Sequence, residues 1–306
     1  MTSPLSRHWI ARQLRQDAPR AKSLVMTVFG DAIAPRGGAV WLGSLISLLA
    51  PLGISERAVR TSVFRLVEEG WLEANRSGRR SQYRLSEEGE QRFLRAHQRV
   101  YAPPSPDWAG QWTLVLMAPD KITAAQRNVL KKELLWEGFA VLGNGLFAYP
   151  GDKTEAMADI LSRTQAQNKV MLFSAADQTV AGTLPLATLA RLHWPLKEIS
   201  KSYGRFIRRF ETLLTTNDAL GKAEPEEAFA VRTLLIHAYR RVQLHDPQLP
   251  KALLGEAWPG EAAYTLCRSI YQQLLSASDQ YVTATLQQEQ SSVRMVRAEF
   301  RQRFAA

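Results

Sequence analysis

Apolar residues recur at helical spacing through most of the chain, and the clearest run is Val59, Val63, Leu66 and Val67. At i, i+4, i+7 and i+8 these four make one buried stripe on a helix. Arg57, Thr61 and Arg65 fall on the opposite face, with Arg60 and Phe64 on its flank. Just upstream, Pro51-Leu52-Gly53-Ile54 stops an apolar run ending near Ala50, and Ser55 supplies a hydroxyl to cap the next helix. The pattern predicts helices over Ala21–Gly30, Ala39–Ala50, Ser55–Glu69 and Ser86–Tyr101. Between the last two, Trp71–Asn75 and Ser81–Leu85 read as short strands around Arg76-Ser77-Gly78-Arg79-Arg80.

Ala102-Pro103-Pro104-Ser105-Pro106 breaks any helix and marks a domain boundary. Beyond it the pattern changes to strand (Trp112–Met117), amphipathic helix (Thr123–Trp136), strand (Gly145–Tyr149), helix (Gly151–Gln167) and strand (Val170–Ser174). That order predicts a small ferredoxin-like α+β domain with helices on one face of a sheet. From Leu184 the pattern is helical, over Leu189–Thr215, Pro225–Leu244 and Glu261 to the end. The expected fold is α+β and multidomain: a loosely ordered segment 1–20, a DNA-binding domain 21–102, the ferredoxin-like domain 107–183, and an all-helical domain 184–306 for dimerisation and effector binding.

Charge sharpens the first domain. The 306-residue chain carries a formal +10, and its first 100 residues hold 16 Lys and Arg against 9 Asp and Glu. From Ala74 to Leu85 four arginines (Arg76, Arg79, Arg80 and Arg84) occur with no acid. An arginine-faced helix followed by a basic hairpin is the pattern of a winged helix-turn-helix. Guanidinium groups suit bidentate contact to guanine and phosphate, and a glycine-tipped basic loop suits the backbone or minor groove beside it. The expected DNA-binding residues are Ser55, Arg57, Arg60, Thr61, Arg65, Arg76, Arg79, Arg80 and Arg84. Two blander readings compete: a solvated basic loop, and a helix pair inside an ordinary bundle with its arginines neutralised by Glu56, Glu68 and Glu69.

Composition excludes other classes. A single cysteine, Cys267, allows no intramolecular disulfide framework or cysteine-rich zinc site, and a reducing cytoplasm is the expected home. The longest apolar run, Ala39–Ile54, is shorter than the roughly twenty residues of a membrane helix, so no membrane partner is expected.

More specific are Phe29-Gly30-Asp31, Pro35-Arg36-Gly37-Gly38 and Val40-Trp41-Leu42-Gly43-Ser44-Leu45 near the start. They are matched toward the end by Leu235–Val242, Asp246-Pro247-Gln248-Leu249-Pro250 and Trp258-Pro259-Gly260. Together these resemble the PaaX-type repressors of phenylacetate catabolism along nearly the whole chain. The resemblance implies a homodimeric repressor with an N-terminal winged helix, a central domain similar to Cas2 and a helical C-terminal domain. It would bind double-stranded operator DNA and be released by phenylacetyl-CoA or a related acyl-CoA.

Such a ligand needs cations for its phosphates and an apolar slot for its ring. Arg240 and Arg241 beside Tyr239, with Trp258 downstream, offer that chemistry, although core packing and ion pairing account for the same residues. His237 and His245 lie two helical turns apart, too far to share a metal on a straight helix, and Cys267 sits in an apolar helical run without a paired base. No cofactor and no catalytic residue are expected. The competing functions are a ligand-independent DNA-binding dimer and, third, a Mg²⁺-dependent nuclease using Asp120, for which one carboxylate is a thin ligand set.

Overall fold

The computed structural model describes residues 4–104, 108–118, 121–176, 184–185, 187–215, 220–289, 296–297, 300 and 303–304. It is mixed α and β, with two antiparallel sheets. Two compact units divide it: residues 1–103, 205–241 and 262–306 form one, and residues 104–204 and 242–261 the other. The expected segmentation follows chain order, whereas these units interleave.

In the first unit, α1 (Pro4–Gln16) occupies the N-terminal stretch expected to be loose. It is anchored because Trp9, Ile10 and Gln13 form a buried stripe, with Trp9 5.3 Å from the Phe210 ring. Helix α2 (Ala21–Val28) continues through a π-helical turn, Phe29–Ile33, and a 3-10 turn, Ala34–Arg36. The apolar run after it was expected to be helical from Ala39, but it opens as β1 (Ala39–Trp41), paired with a later strand, and only then becomes α3 (Leu42–Leu49). Val40 and Trp41 are strand-favouring residues, and a long-range partner decides their state. A 3-10 turn, Ala50–Leu52, leads to α4 (Glu56–Glu68), strands β2 (Leu72–Ser77) and β3 (Arg80–Leu85), and α5 (Glu87–Tyr101).

The second unit holds β4 (Gln111–Met117), α6 (Ala124–Trp136), β5 (Ala140–Gly143), β6 (Leu146–Pro150), α7 (Thr154–Thr164) and β7 (Val170–Ala176). The sheet order is β5-β6-β4-β7 with every neighbouring pair antiparallel, a split β-α-β arrangement of the ferredoxin-like kind. Strand β5 was not anticipated, being four residues with little alternation. Helix α6 starts at a capping box between Thr123 and Gln126, and its Leu130 and Leu134 meet Trp112, Val115 and Phe147 in the core.

One continuous helix was expected from Leu189, but Trp194-Pro195 divides it into α8 (Ala187–His193) and α9 (Leu196–Thr215). The chain continues with α10 (Pro225–Gln243), α11 (Lys251–Leu254) and α12 (Gly260–Gln287). Before α11, buried Asp246 accepts bonds from Tyr203 Oη at 2.5 Å and from Gln248 N at 2.7 Å, which fixes the turn of the Asp-Pro-Gln-Leu-Pro stretch.

Candidate nucleic-acid interface

Helix α4 is set by local chemistry at its start and by packing along its length. Gly53 adopts φ 74° and ends the preceding turn, a conformation that costs glycine little. Ser55 then caps the helix by accepting from Ala58 N. Val59, Ser62, Val63 and Leu66 are buried, while Arg57, Arg60, Thr61, Phe64 and Arg65 are exposed. Phe64 is 62% exposed, unusual for an aromatic ring in the middle of a helix.

The neighbouring acids sort the arginines. Glu56 engages Arg60 at 2.7 Å, and Glu69 engages Lys22 of α2 at 2.6 Å. Thr61 donates its hydroxyl to the Arg57 carbonyl at 2.9 Å. Among the described residues Arg57 and Arg65 have no acidic partner within salt-bridge distance. The bundle reading, in which local glutamates neutralise this face, accounts for Arg60 alone.

Strands β2 and β3 form a hairpin from Leu72↔Leu85 to Ser77↔Arg80, so Arg76 and Arg80 belong to the strands rather than to the loop. The turn is two residues, Gly78-Arg79, with φ 59° at Gly78. A positive φ at the first central position is what glycine supplies in a tight hairpin turn. Arg76, Arg79 and Arg80 are exposed at this tip, whereas Arg84 is held by Glu73 at 2.6 Å near the base. Strand β1 pairs on the other side of β3 and completes a three-stranded sheet.

Helix α3 is capped from far along the chain. Glu289 Oε2 accepts from Ser44 N at 2.7 Å and from Ser44 Oγ at 3.0 Å. A carboxylate at a helix N-terminus satisfies orphan N–H groups and complements the dipole.

The residues expected to hold an effector take different places. Tyr239 is fully buried, 5.3 Å from the Phe206 ring. Arg240 is tied to the Ser23 carbonyl and hydroxyl at 3.2 and 3.3 Å, and burial pushes its pKa down. Arg241 is 60% exposed and 4.0 Å from Asp17. Trp258 belongs to the second unit, edge-on to Tyr203 at 5.9 Å.

The sequence reading missed a buried ionic cluster in the first unit. Asp31, in the π-helical turn, accepts from Arg232 Nε at 2.9 Å, Arg303 Nη1 at 2.9 Å, Tyr101 Oη at 2.6 Å and Tyr271 Oη at 3.1 Å. Arg232 reaches Asp279 at 2.7 Å, and Arg36 reaches the same carboxylate at 3.2 Å. Burial drives the Asp31 carboxyl up, but the two guanidinium groups and two hydroxyls outweigh it and hold the pKa below the usual carboxylate range.

Two histidines of the first unit have depressed pKa values, one of them, His97, accepting from Arg303 Nε at 3.1 Å. Burial lowers His97 to about 4, helped by Arg303 and opposed by Asp31. Burial lowers His237 to about 3, helped by Arg240, Arg241 and Arg209, and its Nδ1 lies 3.0 Å from Thr27 Oγ1. The unfolded chain binds these protons near pH 6.5, well above the folded values. Stability is therefore expected to fall as pH drops from about 6.5 toward 4. Urea midpoints measured between pH 7 and 4.5 check this: replacing both histidines with glutamine should flatten the slope, and an unchanged slope would rule out this assignment.

Cys267 is buried, and desolvation raises its thiol pKa well above the usual value. No group of three or more potential metal ligands occurs among the described residues, and none of their helices is long and apolar enough to cross a membrane. Asp120 lies outside the described residues.

Three family models match the chain. These are PaaX-like protein over residues 20–89, PaaX protein central Cas2-like domain over 105–186, and PaaX-like protein C-terminal domain over 194–284. The chain is 40% identical over 263 residues to the Escherichia coli (strain K12) transcriptional repressor PaaX, covering 85% of this chain and 82% of that protein. Among solved structures it is similar to the uncharacterized protein Rv0674 from Mycobacterium tuberculosis. That match has a TM-score of 0.48 and 23% identity, over 79% of this chain and 89% of the other.

Proposed function

Because this chain belongs to the PaaX family, we propose that it is a sequence-specific repressor of a phenylacetate catabolic operon, released from its operator by an aryl-acyl-CoA such as phenylacetyl-CoA. The relative's repressor role supports regulation rather than catalysis. In this reading α3, the turn and α4 form a helix-turn-helix, and the β2–β3 hairpin is its wing. The observation that carries it is the exposed face of α4, where Arg57 and Arg65 lack acidic partners among the described residues, close in sequence to a hairpin tip bearing Arg76, Arg79 and Arg80.

Two chains would pair through the central and C-terminal regions. They would present two α4 helices to successive major grooves of an operator with half-sites a whole number of turns apart. Arg57, Arg60, Thr61 and Arg65 touch bases or phosphates, Ser55 fixes the helix entry, and Arg76, Arg79, Arg80 and Arg84 serve the backbone beside the wing. At the effector we propose Tyr239 and Arg241, which both belong to the first unit.

Replacing Arg79 and Arg80 with alanine should weaken binding to specific and non-specific duplexes alike. The slope of log K against log salt should fall by about one for each phosphate that is no longer neutralised. A retained slope would remove the wing from the interface. The reading as a whole is tested by mobility shift on DNA upstream of the gene cluster, with phenylacetyl-CoA and with free phenylacetate as control. Release by the thioester alone supports it, and a complex indifferent to both compounds removes the inducer. By linkage, operator DNA should weaken thioester binding by the same factor that the thioester weakens DNA binding.

A further inference from the structure

Deep in the first unit, the benzyl side chain of Phe304 is fully buried among four tyrosines. Its ring lies 5.1 Å from Tyr101, 5.1 Å from Tyr271, 5.5 Å from Tyr264 and 6.3 Å from Tyr239. We infer that this aromatic chamber is the aryl-binding site of an acyl thioester ligand, and that Phe304 is its built-in competitor. The inference rests on the proposal above that such a thioester releases the operator, and it places the site.

Four observations support it. A phenylalanine side chain and a phenylacetyl group both end in a benzyl unit, so a chamber shaped for one accepts the other. Tyr264 is 7% exposed and its hydroxyl has no hydrogen-bond partner among the described residues, which leaves a donor for the carbonyl next to a ligand's benzyl carbon. Phe304 also sits at φ 54°, a left-handed conformation that a bulky side chain adopts only under strain, so its seat is strained as well as apolar. Finally, the cluster supplies two arginines to Asp31. Withdrawal of Arg303 leaves Asp31 paired with Arg232 at 2.9 Å, and no buried carboxylate is stranded.

The same C-terminal residues reach the elements that carry the DNA-facing helices. Arg303 donates to the carbonyls of Gly30 and Asp31 at 2.9 and 2.7 Å. Arg297 N donates to the Pro35 carbonyl at 2.9 Å, and the Arg297 guanidinium meets Glu90 of α5 at 3.2 Å. Displacing Phe304 therefore loosens the turn leading into β1 and α3 together with the helix that follows the wing. A ligand that favours this loosened state over the DNA-competent one shifts the equilibrium away from the operator.

The test uses full-length Phe304→Ala, with Phe304→Leu as the milder variant should alanine impair folding. If the chamber must be vacated before the ligand enters, removing the competitor raises the fraction of competent protein. Calorimetric affinity for phenylacetyl-CoA should then tighten on the order of tenfold in the alanine variant, and by less in the leucine variant. Hydrogen exchange at the Arg297 and Phe300 amides of the unaltered protein, which donate to the Pro35 and Arg297 carbonyls, should rise on adding phenylacetyl-CoA. Benzyl alcohol should raise the Tm of Phe304→Ala, since an emptied apolar cavity binds small aromatics, and leave that of the parent unchanged. Thioester affinity identical in all three proteins, or exchange at Arg297 and Phe300 that does not rise, would overturn the assignment while leaving operator release intact. A parent protein indifferent to the thioester, with Phe304→Ala nonetheless binding it by calorimetry, would instead defeat the release mechanism and retain the chamber as an aryl site; benzyl alcohol binding with no thioester binding in any of the three proteins would overturn both.

Discussion

Asp31→Ala is expected to lower the stability of the protein by about 3–5 kcal/mol, because it leaves the buried guanidinium groups of Arg232 and Arg303 without their shared carboxylate. On a unit of this size that corresponds to roughly 6–20 °C in Tm. The pH dependence separates charge from packing. The folded pKa of Asp31 is depressed, so its contribution is fully present above the ordinary carboxylate value of 3.8 and is lost as pH falls through the lower folded value. The gap between parent and variant should therefore be widest near neutrality and narrow in strong acid. Thermal unfolding at pH 7 and at pH 3 measures both, and a loss below about 1 kcal/mol at pH 7 would show that the cluster is not a coupled element.

Substituting Arg57 and Arg65 with alanine is expected to remove operator recognition with little change in stability. Both side chains are exposed, and neither has an ion-pair partner among the described residues whose loss would destabilise the fold. Each base-reading arginine contributes about 1–3 kcal/mol of discrimination, so the pair should cost about 2–6 kcal/mol on the operator and far less on random duplex. Competition titration against non-cognate DNA at fixed salt distinguishes this from the uniform weakening expected of Arg79 and Arg80. Equal losses on both duplexes would move these two arginines from base reading to backbone contact. Phe64, exposed between them, has the chemistry to meet a thymine methyl group.

What could be read from sequence was what short-range chemistry determines. Helix α4 follows from Gly53, the Ser55 cap and a regular apolar stripe, and the hairpin follows from Gly78 at its two-residue turn. Trp194-Pro195 was a legible break between α8 and α9 that the surrounding helical pattern obscured. Other features depend on partners far along the chain. Strand β1 exists because Val40 pairs with Tyr83, and Ser44 is capped by Glu289. The Asp31 cluster draws on residues 101, 232, 271 and 303, and no local pattern marks any of them as belonging together. Its arginines read as ordinary helix and tail charges, since periodicity reports which face is apolar but not which buried cation will find which carboxylate.

The interleaving of the first unit bears on how the protein is made. Residues 205–241 and 262–306 belong to the same compact unit as residues 1–103, and a carboxylate from position 289 caps a helix that begins at position 42. A nascent chain cannot complete this unit until Glu289 and Arg303 have left the ribosome. Premature-stop alleles should accordingly yield fragments that are cleared rather than fragments that occupy operators, so they should behave as recessive losses of control and not as dominant interference.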